Sequence, residues 1–148
     1  MTAEPPPRSA ARVVLVDGVD RVLLFRWVHP TDPARGHWWI TPGGGLDEGE
    51  TALQGAVREL FEETGLAASP EDLSEPVLER TIDTDIDGMM VRQHELFFVL
   101  RVDEHEVDTS GFTELELHAM PEHRWWTRDE LAATTERVSP NNLLELLP

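Results

Sequence analysis

GGLDEGETALQGAVRELFEETGL, residues 44–66, is the stretch on which the reading of the fold turns. Pro42 and the glycines at 43, 44 and 45 mark a turn at its start. The segment after this turn reads as a helix with identifiable ends. Thr51 and Gln54 have the spacing of a capping box, in which hydroxyl and amide satisfy backbone N–H groups that the first turn leaves unpaired. Gly65 supplies the left-handed residue that closes a helix. Leu53, Ala56, Val57, Leu60 and Thr64 recur at helical spacing and form a stripe that packs on the body of the protein. Glu59, Glu62 and Glu63 form a second cluster, roughly a quarter to a third of a turn away. Carboxylates gathered in this way repel one another and raise each other's pKa, and within the helix only Arg58 compensates. A divalent cation relieves the repulsion, and an all-oxygen ligand set favours Mg²⁺, Mn²⁺ or Ca²⁺.

Outward from the helix, short strands alternate with turns. Residues 11–17 and 21–28 are β-branched and aliphatic runs separated by Asp17-Gly18-Val19-Asp20, a hairpin signal. Residues 29–36, with two prolines and a glycine, read as a loop, and residues 37–41 as a short strand entering the glycine turn. Past the helix, residues 77–84 and 89–102 read as strands around an acidic turn of Asp83, Asp85, Asp87 and Gly88. Residues 103–121 read as a mobile acidic loop anchored by Phe112, Leu115 and Leu117. Residues 122–127 form a further strand and 128–135 a short helix. Ser139-Pro140 has the pattern of a helix start. Strands and helices interleave with hairpins, so an α/β protein with a mixed sheet and helices on both faces is expected. The polar, proline-rich residues 1–9 are expected to be a disordered tail, and residues 10–148 one domain.

The helical segment resembles the signature box of the Nudix hydrolases, G-x5-E-x7-R-E-U-x-E-E-x-G-U with U an apolar aliphatic residue. Gly44, Glu50, Arg58, Glu59, Leu60, Glu62, Glu63, Gly65 and Leu66 fill it without departure, within 23 of the 148 residues. The resemblance implies a Nudix-type α/β/α sandwich. It also implies Mg²⁺-dependent, or Mn²⁺-dependent, hydrolysis of a diphosphate linkage in a nucleoside diphosphate joined to a second group. By the same resemblance Glu62 and Glu63 are metal ligands, Glu59 is ligand or base, and the carbonyl of Gly44 is a further ligand. Arg58 is placed to orient the acids, with Glu50, through charge-assisted hydrogen bonds. Relatives often carry a base outside the box. Glu95, Glu114, Glu116 and Glu122 are candidates, and Glu122 is preferred because it lies just before a tryptophan pair where several relatives carry a functional glutamate. For the substrate, Trp27, Trp39 and Trp126 offer stacking surfaces for a base, and Arg26 a contact for a phosphate. In each Trp-Trp pair one ring faces the core, because neighbouring strand residues point to opposite sides.

Composition narrows the function classes. Twelve basic residues stand against 29 acidic ones, a formal charge of −17, so no basic footprint for a nucleic-acid polymer is present. A small phosphorylated molecule delivered with a cation is the expected partner. There is no cysteine, which removes disulfides, zinc–thiolate sites and thiol nucleophiles; by the same resemblance it argues against a prenyl diphosphate isomerase of this fold, whose chemistry pairs a cysteine with a glutamate. The absence of an 18-residue apolar run or a signal-peptide core leads to the expectation of a cytoplasmic protein without membrane attachment, as monomer or homodimer. A catalytically silent ligand-sensing module is the alternative. Degenerate members of that kind lose box glutamates or the arginine, and this chain keeps them.

Overall fold

The computed structural model describes residues 4–86 and 88–148. Among the described residues, eight strands and four α-helices follow one another: β1 (Pro7–Val16), β2 (Val22–Val28), β3 (His37–Ile40), β4 (Gly43–Gly45), α1 (Ala52–Thr64), β5 (Leu78–Ile86), β6 (Met89–Arg101), α2 (Glu114–Ala119), β7 (Glu122–Trp126), α3 (Arg128–Ala133), β8 (Val138–Ser139) and α4 (Leu143–Leu146). The strands form a mixed sheet in the order β5-β6-β1-β2-β3-β8, with β4 against β1 and β7 against β2. β1 and β6 run parallel through ten pairs, from Pro7↔Arg92 to Val16↔Arg101. β1 and β2 pair antiparallel at Val16↔Val22 beside their turn. Beyond that point they part, β1 taking β4 as its neighbour and β2 taking β7.

Two apolar layers hold this arrangement. On one face Ala11, Val13 and Leu15 of β1, Leu23 and Phe25 of β2 and Phe98 of β6 meet Ala56 and Leu60 of α1. On the other, Val14, Val16, Val22, Leu24 and Phe97 meet Trp39, Trp126, Leu131 of α3 and Leu143 of α4. The alternation along β1 and β2 is the two-residue period of a strand buried on both sides. Helices on both faces of the sheet make the expected α/β/α sandwich. Among the described residues, no helix is long and apolar enough to cross a membrane.

Several sequence expectations change. β1 begins at Pro7, inside the stretch read as a disordered tail, because Pro7, Arg8 and Ser9 already pair with Arg92, Gln93 and His94; residues 1–3 lie outside the described residues. Asp83 and Asp85 belong to β5 rather than to a turn, and Asp87 lies outside the described residues. Within 103–121, Thr113 caps α2 through a capping box with Glu116. Phe112 anchors this segment, its ring 5.6 Å from Phe25, whereas Leu115 and Leu117 are about half exposed. Ser139 is no helix cap. It is extended in β8, paired with Ile40, and the last helix starts later, after Asn142.

Candidate metal centre and substrate cavity

The helix α1 is built as its sequence requires. Thr51 Oγ1 accepts the Gln54 N–H at 3.1 Å, and Gln54 Oε1 accepts the Thr51 N–H at 3.0 Å. Gly65 takes φ 75°, a conformation that costs a side-chain-bearing residue energy. With both ends set and Leu60 and Ala56 buried, the rotation of the helix is determined, and so is the direction of its acidic cluster.

Arg58 is the hub of that cluster. Its Nε and Nη2 donate to the two oxygens of Glu50, both at 2.8 Å, and Nη2 also donates to the carbonyl of Gly45 at 3.0 Å. Nη1 donates to Glu59 at 3.0 Å and to Glu62 at 3.2 Å. The planar guanidinium suits this forked pairing. It ties the glycine turn to the helix and holds the Glu50 carboxyl down at about 2. The carboxylates in turn keep Arg58 well above the ordinary arginine range. The expected pairing of Arg58 with Glu50 and its neighbouring acids is therefore present, and it is a positioning arrangement.

Glu59 and Glu63 point inward. Glu63 is 1% exposed, and its Oε1 accepts the N–H of Gly43 at 2.7 Å. Burial first, and then the neighbouring Glu59, push its carboxyl well above the usual range. Burial also raises Glu59, against the opposing charge of Arg58. Gly44 makes room for Glu59, since a Cβ there would lie 2.8 Å from its Oε1. The third member comes from outside the box. Oxygens of Glu59, Glu63 and Glu116 lie within 4.8 Å of one another. Glu116 sits on α2 and is one of the four outside carboxylates that the sequence leaves open. Its only local signal is the capping-box position after Thr113, which points to a structural role. Glu62, by contrast, is 44% exposed and rests on Arg58 at the rim of this group.

The acids line a cavity of about 570 Å³, together with Gly43, Gly44, Arg8, Arg12, Trp27 and Met120. A second cavity, of about 350 Å³, shares Arg8, Arg12, Trp27, His29 and Ile40 with the first and continues along Trp38, Arg80 and Glu95. Both lie in the cleft where β1 and β2 part. One wall is β1, β5 and β6; the other is β2 and β3.

The cleft sorts the residues predicted to touch substrate. Trp27 lines it. Trp38 does so too, in place of Trp39. Arg26, Trp39 and Glu122 do not: Arg26 is directly opposite Trp39 on β3 and Glu122 on β7, so all three share the face of β2 that carries Val22 and Leu24 toward α3. Cross-strand partners point to the same side of a sheet, and that side turns away from the cleft. Trp39 and Trp126 are core residues, 3% and 1% exposed, with their rings edge to face at 5.1 Å. In the second pair, Trp125 is the ring that packs on the α1 side. The choice within each pair is not legible in sequence, because alternation leaves both registers equally acceptable until the neighbouring strands are placed.

The metal fit rests on the donors. Three carboxylates, one of them fully buried without an opposing side-chain charge within hydrogen-bonding distance, form a hard oxygen set that a divalent cation neutralises.

Comparisons with known proteins identify the family and the fold. The chain matches the NUDIX domain over residues 6–147. It is similar to the RNA pyrophosphohydrolase of Dinoroseobacter shibae, 44% identical over 62 residues, which are 42% of this chain and 36% of that protein. The RNA pyrophosphohydrolase of Bartonella quintana is 49% identical over 65 residues, 41% of this chain and 37% of that protein. The matches thus span little more than a third of the length of these curated relatives. Among solved structures, the MutT protein from Methanosarcina mazei Go1 superposes with a TM-score of 0.72 at 16% identity, covering 98% of this chain and 93% of the other. A C. elegans Ap4A hydrolase in a binary complex gives 0.62 at 22% identity, over 94% and 93% of the two chains. At these identities the superpositions establish the fold.

Proposed function

The chain belongs to the NUDIX family, and on that premise we propose that it hydrolyses a diphosphate linkage in a nucleoside diphosphate joined to a second group, by attack of water in the presence of Mg²⁺ or Mn²⁺. The observation that carries the reading is the convergence of Glu59, Glu63 and Glu116 within 4.8 Å in the wall of a cavity large enough for a nucleotide. These three carboxylates would hold the cation, with Glu62 at the exposed side of the group and the Gly44 carbonyl as expected further ligands. A divalent cation in that place neutralises phosphoryl oxygens and lowers the pKa of water.

The protein's own residues supply the rest. Arg58 holds Glu59 by a hydrogen bond and so fixes where its second oxygen points. Glu59 or Glu116 accepts the proton of the attacking water, in the role expected of Glu122, which lies on the other face of the sheet. Trp27 and Trp38 line the cavity in the role expected of Trp39 and Trp126, and Trp27 is the better placed to stack on a base, since the Arg137 guanidinium lies 3.6 Å from the Trp38 ring centroid and covers one of its faces. No cysteine is present, so the reaction has no thiol nucleophile.

The test is a panel of nucleoside triphosphates, nucleotide sugars, dinucleoside polyphosphates and a short RNA with a 5′-polyphosphate, assayed for Mg²⁺-dependent release of phosphate or a nucleotide. Hydrolysis of at least one member in ¹⁸O-labelled water is expected to place label on a phosphate of one product, with no phosphoryl- or nucleotidyl-protein in mass spectra of quenched turnover mixtures. A covalent adduct overturns the direct-water route. Failure to cleave any member, with Mg²⁺ or with Mn²⁺, overturns the assignment of an activity.

A further inference from the structure

All 12 basic side chains of this chain are arginines, in a protein of net charge −17. Four of them, Arg8, Arg12, Arg35 and Arg80, line the single cavity that continues from the acidic centre. The same cavity is lined by Asp83, Asp85 and Glu95, so its lining sets four positive charges against three negative, a balance far from that of a chain at −17 overall.

Three of the four are built into the wall. Glu95 is 0% exposed and sits between two guanidiniums, its Oε2 accepting from Arg12 Nε at 2.6 Å and its Oε1 from Arg80 Nε at 2.7 Å. Gln93, also buried, donates to Glu95 at 2.9 Å and accepts from Arg8. Arg12 is braced again by the carbonyl of Thr41 at 2.8 Å, and Arg80 by Ser139 Oγ at 2.9 Å across the cleft. Their side chains are only 16% and 23% exposed. One buried carboxylate thus fixes two arginines and leaves a net positive charge in the wall. Among the described residues, Arg12 Nη2 and Arg80 Nη1 donate no hydrogen bond within the protein. Rigid, partly desolvated guanidiniums bind phosphate strongly, because little side-chain freedom remains to be lost.

Position gives this wall its meaning. Arg8 and Arg12 border both cavities, whereas Arg80 borders only the one remote from Glu59, Glu63 and Glu116. An anion reaching from the acidic centre therefore meets Arg8 and Arg12 first and Arg80 beyond them. We propose that Arg12 and Arg80, held by Glu95, form a subsite for a phosphate lying beyond the diphosphate cleaved at the acidic centre, which selects substrates carrying three or more linked phosphates over nucleoside diphosphate sugars. This selectivity rests on the proposed hydrolysis, but the subsite itself does not require turnover.

Two measurements separate the two. In the first, kcat/KM for a nucleoside triphosphate and for a nucleoside diphosphate sugar is determined in wild type, Arg80→Gln and Arg80→Lys. The ratio of the two constants is expected to favour the triphosphate in wild type. It is expected to fall about tenfold in Arg80→Gln, chiefly through KM, as for the loss of one charge-assisted hydrogen bond. Arg80→Lys is expected to recover part of it. Equal losses on both substrates in Arg80→Gln mean that Arg80 only supports the fold, and overturn the proposal. In the second, inorganic tripolyphosphate and pyrophosphate are titrated calorimetrically into the protein in EDTA. Wild type is expected to bind tripolyphosphate more tightly, and Arg80→Gln to lose that margin. Absence of a margin in wild type overturns the subsite, whereas a margin in a protein that hydrolyses nothing keeps the subsite and overturns the activity.

Discussion

Glu63 and Glu62 are adjacent in sequence and opposite in situation. Glu63 is buried against the Gly43 N–H, while Glu62 is half exposed on Arg58. Replacing either by glutamine removes a charge from the acidic centre, and each variant is expected to lose about 10²-fold or more in kcat. Their stabilities are expected to diverge. Glu63→Gln keeps an acceptor for Gly43 but removes a buried carboxylate, so its Tm in EDTA should exceed that of wild type, while Glu62→Gln should leave Tm nearly unchanged. A drop in Tm for Glu63→Gln would show that the buried charge is already compensated. Glu50 belongs to the acid limb. Its folded pKa, about 2, lies below the ordinary 4.5, so its contribution is fully present above about 4.5 and is lost as pH falls toward 2. Denaturant titrations between pH 5 and pH 2 are expected to show a shallower loss of stability in Glu50→Gln than in wild type. Parallel curves would place the Arg58–Glu50 pair outside the stability of the fold.

At the scale of the element, α1 carries the site and its caps carry α1. The Thr51–Gln54 box and Gly65 are both legible from residue type and spacing, because capping is a local backbone interaction that tertiary packing rarely overrides. Thr51→Ala is expected to cost about 1 kcal/mol. Gly65→Ala is expected to cost at least as much, since it combines a left-handed φ of 75° with a Cβ 2.9 Å from that of Asp108. Urea midpoints check both, and a neutral Gly65→Ala would mean that the helix end rearranges freely. Elements further from the box are less legible. The segment before β7 reads as a loop because it is acidic and irregular, yet residues 114–119 fold as α2, with Leu117 exposed and Leu115 and Glu116 at the cavity. A six-residue helix has too few turns for an apolar stripe to declare its face.

At the scale of the whole molecule, the proposed metal site is expected to couple to folding. Burial raises Glu63 and Glu59, so without metal the folded state holds their protons more tightly than the unfolded chain does. Their sign is opposite to that of Glu50: the metal-free fold gains from them below about pH 4.5 and loses that gain as pH rises toward the raised values. A divalent metal held only by the assembled site would oppose this loss, adding RT ln(1 + [L]/Kd). Thermal midpoints in millimolar Mg²⁺ or Mn²⁺ are therefore expected to exceed those in EDTA at pH 7.5, with the gap narrowing at pH 5. Equal midpoints at pH 7.5 would contradict a metal site built from these carboxylates.

By itself the sequence determined the helix of residues 52–64, its caps and the Arg58–Glu50 tie. Each depends on contacts within some twenty residues, where spacing translates directly into geometry. Only the tertiary structure decided which outside acid joins the box, which tryptophan of each pair faces the cleft, and where the arginines gather. Glu116, Trp38 and the Arg12–Glu95–Arg80 wall come from segments far apart in the chain. A strand has two faces and one sequence pattern serves either. The choice is made when β1 and β2 part and their two half-sheets turn toward one cleft, and no local rule contains that event.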